Sequence, residues 1–279
     1  MKKMYAVMGP TASGKSDFAI NLAQKVGGEI INTDSLQVYE DVPLLTAKPT
    51  KEDMSVVPHH LYGFMDAFSK CNVAFWLEKV KEIIDDIETP IFVGGTGMYF
   101  KILLEGLHDI PEIPDDVRAF VRSLSDEERK AKLGEDAPLD PQRQMRALEV
   151  LEATGKPLSY WHAQPVHKPI DGTFESILIL PERQTLYERC NKRFQKMINA
   201  GALAQVQELL CKNPDKTGGV FQAIGVKELV AFLLGETDID EAVLKASQAT
   251  RNYAKRQYTW FKHQIQADKV LPVADISLF

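Results

Sequence analysis

Apolar residues in the first part of the chain alternate between short runs and stretches with helical spacing. The runs at 4–8 and 90–93, and a shorter one within 29–32, predict buried strands. Between them, apolar residues recur every three or four positions at 18–26 and at 76–87, which predicts helices. This alternation favours a parallel sheet, whose ligand sites lie beyond the carboxyl ends of its strands.

The pattern changes between 111 and 172. Prolines there separate short helical stretches such as 115–123 and 142–153, and no strand is evident. A further strand is predicted at 176–180. Four helices are predicted after it, at 183–199, 202–211, 226–234 and 239–263.

The fold predicted from these elements is an α/β core interrupted by a helical module. Because the loop at 9–16 also matches G-x-x-x-x-G-K-[ST], the core is predicted to be a P-loop NTPase-like parallel sheet with helices on both faces, formed by 1–112 and 173–279. A small helical insertion at 113–172 separates these two segments. Three loops are expected to converge at the carboxyl ends of the strands, at 9–16, 33–37 and 94–97.

The loop after the first predicted strand matches the pattern G-x-x-x-x-G-K-[ST], in which backbone N–H groups surround a diphosphate. Its residues are Gly9, Pro10, Thr11, Ala12, Ser13, Gly14, Lys15 and Ser16. The N-terminus of the following helix adds a dipole that favours an anion. Lys15 is expected to contact terminal phosphate oxygens, and the Ser16 hydroxyl to bind Mg²⁺. The motif indicates a diphosphate but does not specify ATP.

Polar residues also follow the next two predicted strands. Asp34 comes after the second strand, where its carboxylate would bind Mg²⁺, act as a general base or cap a turn. The glycine turn at 94–97 stands where many P-loop ATPases carry an acidic residue, which argues against an ATP-hydrolysing motor. In this turn, Thr96 offers a hydroxyl where the backbone can approach a ligand closely. Ser35 and Gln37 add polar groups that can contact a base edge.

Composition narrows the class of protein. The chain has 279 residues, a formal net charge of −6 and no apolar stretch long enough to span a membrane. Its three widely spaced cysteines favour free thiols in a reducing compartment, and no signal-peptide pattern precedes the loop at 9–16, so a cytoplasmic location is expected. A basic, aromatic-rich stretch at 251–263 holds four Arg or Lys residues and no acid, which is typical of a polyanion contact.

Two other clusters carry less information. The adjacent His59 and His60 diverge on a strand or a helix, so they do not predict a shared metal ion. Arg143 and Arg146 are three positions apart and share one helical face. That face fits either a solvated surface or an anion contact.

Several motifs occur in order along nearly the whole chain. They are Gly-Pro-Thr-Ala-Ser-Gly-Lys-Ser at 9–16, Asp-Ser-Leu-Gln-Val-Tyr at 34–39, Thr-Ala-Lys-Pro at 46–49, Pro-His-His-Leu at 58–61, Val-Gly-Gly-Thr-Gly at 93–97, Asp-Pro-Gln-Arg at 140–143, Arg-Ala-Leu-Glu-Val at 146–150, Ala-Ile-Gly at 223–225, Thr-Arg at 250–251 and Lys-Arg-Gln-Tyr-Thr-Trp at 255–260. As a set they resemble the tRNA dimethylallyltransferase family.

The resemblance implies transfer of a dimethylallyl group from dimethylallyl diphosphate to N6 of adenosine 37 in tRNA, giving N6-isopentenyladenosine. It implies Mg²⁺ as cofactor and the tRNA anticodon stem-loop as partner. A monomeric protein is expected. The resemblance also implies catalytic roles for Lys15 at the diphosphate, Asp34 as proton acceptor and Thr96 near the reacting groups. The tRNA contacts it implies are Asp34, Ser35, Leu36, Gln37, Thr96, Arg118, Gln142, Arg143, Gln144, Met145, Arg146, Gln222, Ala223, Ile224, Gly225, Val226, Lys227, Arg251, Lys255 and Arg256.

The sequence departs from the family pattern in two places that concern tRNA. The stretch from 122 to 140 is shorter than expected, so the insertion would clamp the RNA less fully. Val226 stands where a tyrosine is common, so an aromatic contact is lost there.

Three alternative functions remain open. The first is prenylation of free adenosine phosphates, which would need neither the insertion nor the basic stretch at 251–263. The second is a P-loop small-molecule kinase that uses ATP. The third is an RNA-binding protein without activity, against which the intact Lys15, Ser16, Asp34 and Thr96 argue.

Overall fold

The apolar runs of the sequence form strands of one sheet. The structure is a computed structural model that describes residues 1–213, 215–216 and 218–279, apart from the side chain of Asp136. The strands are β1 (Lys3–Met8), β2 (Glu29–Asn32), β3 (His59–His60), β4 (Pro90–Gly94), β5 (Leu107–His108), β6 (Val166–His167), β7 (Thr173–Ile179) and β8 (Lys269–Leu271). The helices are α1 (Lys15–Val26), α2 (Pro43–Thr46), α3 (Lys51–Val56), α4 (Val73–Ile83), α5 (Gly97–Glu105), α6 (Asp115–Ser123), α7 (Asp126–Leu133), α8 (Pro141–Thr154), α9 (Leu158–His162), α10 (Arg183–Asn199), α11 (Ala202–Lys212), α12 (Val226–Leu233) and α13 (Ile239–Gln264).

The chain divides into two compact units. Met1–Leu104 and Ile170–Phe279 form the core unit, and Glu105–Pro169 form the inserted unit. Among the described residues, no helix is long and apolar enough to cross a membrane. The predicted α/β fold with a parallel sheet is confirmed.

Six strands of the core unit pair in the order β3-β2-β4-β1-β7-β8, and every pair is parallel. The central strand β1 is buried from Met4 to Met8, as expected for a continuous apolar run covered on both faces. Met8 pairs with Gly94 of β4 on one side and with Leu178 of β7 on the other. The carboxyl ends of β2, β4 and β1 therefore lie side by side, and the loops after them meet at one edge.

Helix α1 packs on the sheet through one apolar stripe. Phe18 and Leu22 are completely buried against a cluster that includes Ile30 and Ile91. Burial of each such side chain stabilises the fold by about 1.5–3 kcal/mol. The helix ends at Gly27, whose φ of 67° lets its N–H bond back to the Ala23 carbonyl. This packing fixes the direction in which the N-terminus of α1 points.

The ends of β2 and β4 approach each other closely. Gly94 has no side chain because a Cβ there would overlap the carbonyl of Thr33. The Thr33 N–H donates to the Val93 carbonyl at 2.8 Å, which extends the ladder past β2. The indole Nε1 of Trp76, on α4, donates to the Asn32 carbonyl at 2.8 Å and so also fixes the end of β2. These contacts place the residue after Thr33 directly beside the turn that follows Gly94.

The inserted unit consists of α6 to α9 and a two-residue antiparallel ladder between β5 and β6. Helix α7 begins with a capping box between Ser125 and Glu128. The guanidinium of the buried Arg129 donates to the carbonyls of Val121 and Leu124 and pairs with the Asp126 carboxylate. These bonds satisfy backbone groups at the end of α6.

Two details of the insertion differ from the sequence-based expectation. The inserted unit occupies 105–169, whereas the predicted range was 113–172. The stretch in which no strand was expected contains β6, at Val166–His167. A ladder of two residues is too short to show strand periodicity.

The histidines at 59 and 60 lie on β3 at the sheet edge, where His60 Nε2 is 2.6 Å from Glu29 Oε2.

The close approach at Gly94 generates a stability prediction. Replacing Gly94 with alanine should lower the free energy of unfolding by about 1–3 kcal/mol, the usual cost of overpacking. Urea denaturation of the purified protein measures this loss. Gly235→Ala is a comparison variant that isolates the other cost of adding a Cβ to glycine: its φ is 75°, but nothing lies within 4 Å of the added Cβ. Unchanged stability in the Gly94 variant would contradict the role of the contact with Thr33.

Candidate active site

The loop between β1 and α1 is curled around its own backbone. Ala12 has a φ of 62° and Gly14 a φ of 90°, so two residues of the loop adopt the left-handed conformation. Such conformations turn successive N–H groups toward one side, which makes an anion-binding concavity. Gly9 has no Cβ because one would lie 2.6 Å from the Ile179 carbonyl oxygen. The loop is therefore shaped to surround a diphosphate at the N-terminus of α1.

Two helices from the distant C-terminal part of the core unit hold this loop from outside. Arg193 of α10 donates to the Thr11 hydroxyl, and Arg189 Nη1 lies 3.4 Å from the Ser13 carbonyl oxygen. Gln257 of α13 accepts a hydrogen bond from the Thr11 N–H at 2.8 Å. The Thr11 side chain and backbone are thus fixed by different helices.

Lys15 projects from the first turn of α1 into the site. Its Nζ lies 3.4 Å from the Pro10 carbonyl oxygen. Burial lowers the pKa of Lys15 to about 8; the carboxylate of Asp34 opposes this shift, and the positive charge of Arg193 adds to it. Two cations whose charges act on each other favour an anion that carries several negative charges.

Asp34 and Thr96 lie beside each other on adjacent strand ends. Asp34 Oδ1 accepts from the Leu36 N–H at 3.0 Å, and its own N–H donates to Asn32 Oδ1 at 2.9 Å. Thr96 Oγ1 accepts from the Ser35 N–H at 2.9 Å. A Cβ at Gly95 would lie 3.4 Å from Asp34 Oδ2, so the glycine leaves the approach to this oxygen open. The carboxylate is oriented by one backbone donor, the Leu36 N–H, and keeps its other oxygen toward the turn.

A cavity of about 90 Å³ joins these groups. Its polar wall contains Lys15, Ser16, Asp34 and Arg193. Its apolar wall is formed by Leu45, Cys190, Phe194, Met197, Ala223 and Ile224. A charged end and an apolar end in one cavity suit a ligand that combines a diphosphate with a short hydrocarbon chain.

Two further depressions adjoin the cavity. One of about 210 Å³ is lined by Thr96, Tyr253, Arg256 and Trp260, and Tyr253 also lines the first cavity. An open groove of about 770 Å³ lies on the outer side of the diphosphate loop. Its basic side is one face of α10, formed by Arg189, Lys192, Arg193 and Lys196.

The oxygen donors of the site fit Mg²⁺. The Ser16 hydroxyl and the Asp34 carboxylate line the same cavity as Lys15. Among the described residues, no group of three or more His, Cys, Asp or Glu could hold a metal ion. An ion here would take its other ligands from water and from the phosphate oxygens of the substrate, which is how Mg²⁺ is usually held.

The expected tRNA-contact residues of the core unit fall into two groups. Gln37 is turned inward, where its Nε2 donates to the carbonyls of Thr46 and Ala47, and Leu36, Ala223 and Ile224 line the 90 Å³ cavity. The exposed group comprises Gln222, Lys227, Lys255 and Arg256, with Arg251 half-exposed and bonded to Asn191 and Gln248.

The candidates of the inserted unit are described within that unit. Gln142, Arg143 and Arg146 are exposed at the start of α8, and Met145 is half-buried. Arg118 Nε donates to the Ile113 carbonyl at 3.2 Å. Arg143 and Arg146 therefore share an accessible surface.

Three expected contacts need correction. The Gln144 side chain is completely buried and donates to the Pro138 carbonyl at 2.6 Å. The Val226 side chain is also completely buried. A direct tRNA contact through either side chain is therefore not supported, and Gly225, buried behind Phe194 and Leu45, serves packing in the same way.

Arg193 and Gln257 are site residues that the sequence-based interpretation missed. A signal was present for both. Arg193 belongs to a basic face of α10 with the spacing 189, 192, 193 and 196. Gln257 is a polar residue on the buried stripe of α13 that also includes Thr250, Ala254 and Phe261. A buried polar side chain needs a partner, and here the partners are the two loops of the site.

Comparisons with known proteins agree with this geometry. A family model described as IPP transferase matches residues 37–264, and one described as isopentenyl transferase matches residues 2–60. The chain belongs to the IPP transferase family.

Relatives in this family cover nearly the whole chain. The tRNA dimethylallyltransferase of Bradyrhizobium sp. (strain ORS 278) is 44% identical over 94% of this chain and 91% of its own. That of Chelativorans sp. (strain BNC1) is 43% identical over 96% of this chain and 98% of its own.

Solved structures of the family have the same fold. A eukaryotic dimethylallyltransferase acting on tRNA superposes with a TM-score of 0.82 at 28% identity, over 94% of this chain and 70% of that one. The tRNA isopentenylpyrophosphate transferase of Bacillus halodurans gives a TM-score of 0.71 at 30% identity, over 98% and 90% of the two chains.

The lowered pKa of Lys15 predicts how donor binding depends on pH. Below pH 8 the amine is charged and ready to bind a diphosphate; above it, binding must first take up a proton. The affinity for dimethylallyl diphosphate without RNA should therefore change little between pH 7 and pH 8 and weaken up to about tenfold per unit above pH 8.

Calorimetry in two buffers of different ionisation enthalpy measures both the affinity and the proton uptake. Lys196→Gln, on the exposed face of α10, should keep the same pH profile. An affinity that stays constant from pH 7 to pH 10 would contradict the role of Lys15, with its lowered pKa, in binding the diphosphate.

Proposed function

We propose that this protein transfers a dimethylallyl group from dimethylallyl diphosphate to N6 of an adenosine in tRNA, with release of inorganic diphosphate. The observation that carries the proposal is the cavity in which a diphosphate loop, an oriented carboxylate and an apolar wall face one another. The names of the relatives describe dimethylallyl transfer to tRNA. The individual roles below follow from the position of each group.

The diphosphate end of the donor binds to the curled loop and to two cations. Lys15 and Arg193 stabilise the negative charge that develops on the leaving diphosphate, together with the N–H groups at the start of α1. Mg²⁺, held by Ser16 and the phosphate oxygens, would supply further charge neutralisation. These groups favour breaking of the bond between the diphosphate oxygen and the allylic carbon.

Asp34 is the proton acceptor for the amine. Its Oδ1 is fixed by the Leu36 N–H, while Oδ2 lies toward Gly95. As N6 bonds to the allylic carbon, the amine loses a proton, and a carboxylate at this place can take it. Thr96 holds the Asp34–Ser35 segment through its bond from the Ser35 N–H and is therefore close to the same reacting groups.

The RNA side of the proposal concerns the anticodon stem-loop and adenosine 37. A base must leave its stack to reach Asp34, which is least costly in a single-stranded loop. The depression lined by Thr96, Arg256 and Trp260 offers an aromatic ring and a cation at the entrance to the site. Exposed Arg143 and Arg146 on α8 and Lys255 on α13 are the proposed phosphate contacts.

The alternatives are less well supported. A mononucleotide prenyltransferase needs no inserted unit, whereas this chain matches tRNA dimethylallyltransferases over more than nine-tenths of their length. A kinase would transfer a phosphoryl group and has no use for the apolar wall of Phe194 and Met197. The monomeric state, the Mg²⁺ requirement and the cytoplasmic location stay predictions.

A direct assay tests the reaction. The protein is incubated with dimethylallyl diphosphate, Mg²⁺ and an anticodon stem-loop that carries adenosine at position 37, and the RNA is analysed by mass spectrometry. We expect a mass gain of one prenyl unit on that adenosine, and none when it is replaced by guanosine. A gain on AMP but not on the stem-loop would support the mononucleotide alternative, and consumption of ATP with no use of the prenyl donor would support the kinase.

The role of Asp34 predicts a selective loss. Asp34→Ala should lower turnover by about 10²–10⁴-fold, the range of general acid–base catalysis. Stem-loop binding, measured by fluorescence anisotropy, should change by less than about tenfold, because the phosphate contacts that dominate RNA affinity are unaffected. Asp17→Ala is a matched control, since Asp17 is an exposed acid in the first turn of α1. Unchanged turnover in the Asp34 variant would remove its role as base.

A further inference from the structure

Gln257 lies at a junction of three parts of the core unit. It belongs to α13, yet its side chain is only 7% exposed and points away from the exposed Lys255 and Arg256. A buried amide of this size is stable only if both its oxygen and its nitrogen are bonded. Both partners of Gln257 lie in loops of the candidate site.

The two ends of the amide bond different loops. Oε1 accepts from the Thr11 N–H of the diphosphate loop at 2.8 Å, and Nε2 donates to the Gly95 carbonyl of the glycine turn at 2.7 Å. A backbone N–H only donates and a carbonyl only accepts, so the amide cannot be turned over without losing both bonds. A Cβ at Gly95 would overlap the amide, so the glycine permits this approach.

The two hydrogen bonds of Gln257 form a bridge between Thr11 and Gly95, and this bridge lies just past the end of the sheet. The ladder between β1 and β4 has Met8 and Gly94 as its last pair. Beyond that pair, one chain turns into the diphosphate loop and the other into the turn that carries Thr96. Gln257 connects them three residues past the ladder on one side and one residue past it on the other.

We propose that Gln257 is a positioning residue that sets the distance between the donor and the acceptor amine. This inference rests on the proposed function, in which the diphosphate loop holds the donor and the turn beside Asp34 holds the acceptor. Each loop keeps its own ligand contacts without the bridge. What the bridge adds is the spacing between the two ligands, on which the rate of a bond-forming step depends steeply.

Loss of the bridge has a specific chemical consequence. When the bond between the allylic carbon and the diphosphate oxygen breaks, an amine held too far away competes poorly with water. The water oxygen then bonds to the carbon, its proton passes to a base or to solvent, and the products are dimethylallyl alcohol and inorganic diphosphate. The donor is consumed, but the RNA is not modified.

The experiment compares Gln257→Met and Gln257→Glu with the wild-type protein. Methionine matches the length of the side chain and removes both bonds, whereas glutamate keeps an acceptor for Thr11 N–H and loses the donor to Gly95. Ser247→Ala is the control, because Ser247 is also buried on α13 but has no place in the bridge. The measurements are kcat, both KM values, and the ratio of alcohol to prenylated stem-loop by mass balance.

Both Gln257 variants should show kcat lowered by about 10- to 100-fold, the scale expected for misplacement by a fraction of an ångström to 1 Å. The two KM values should change less than about threefold, and the share of donor lost as alcohol should rise. Ser247→Ala should match the wild type in all of these. Intact folding of each variant is checked by circular dichroism, and the glutamate variant, which retains one bond, keeps the test informative if the methionine variant unfolds.

Unchanged kcat and alcohol share in both variants would overturn the proposal. A rise in either KM in parallel with the loss of kcat would also overturn it, because that pattern indicates damage to one binding loop. Failure of the proposed function looks different, since the wild-type protein itself would then give neither prenylated RNA nor alcohol.

Discussion

The close approach of two parallel strand ends governs the chemistry of this protein. Gly94 lies so near the Thr33 carbonyl that no side chain fits between them. Because of this contact, Asp34 and Thr96, which are 62 residues apart, act as one polar cluster bonded through Ser35 N–H. The diphosphate loop lies next to them because β1 pairs with β4. The diphosphate loop and the cluster of Asp34 and Thr96 are therefore brought together by the register of the sheet.

The side chains around the diphosphate loop are mainly basic, although the net charge of the chain is negative. The protein has a net charge of −6, yet the groups around the diphosphate loop include Lys15 and the basic face of α10. Burial lowers the pKa of both Lys15 and Arg193, and the charge of Arg193 lowers that of Lys15 further, while Asp34 opposes the shift in both. An anion bound beside the two cations would favour their charged forms.

The sequence predicted the sheet, the diphosphate loop and the helices of the second half well, because long periodic stretches and fixed glycine spacing are local signals. It missed the residues whose role depends on which helix packs where. Gln257 and Arg193 bond to a loop more than 170 residues away, and no local pattern shows such a partner. The helical periodicity of α8 does indicate burial of Gln144, because this residue shares one face of the helix with Ala147 and Leu148. The family resemblance implied a tRNA contact at Gln144, and its place on the buried face argues against one through the side chain.

The position of β1 has a consequence for synthesis on the ribosome. This strand is the first of the described strands to be synthesised, but one of its two neighbours, β7, follows the whole inserted unit. Leu178, the partner of Met8 in β7, is synthesised 170 residues later, which at 5–20 residues per second takes about 10–30 s. During that interval the edge of an apolar strand is unpaired and open to other chains. The insertion therefore has a temporal cost: it prolongs the period in which the nascent protein depends on protection from aggregation.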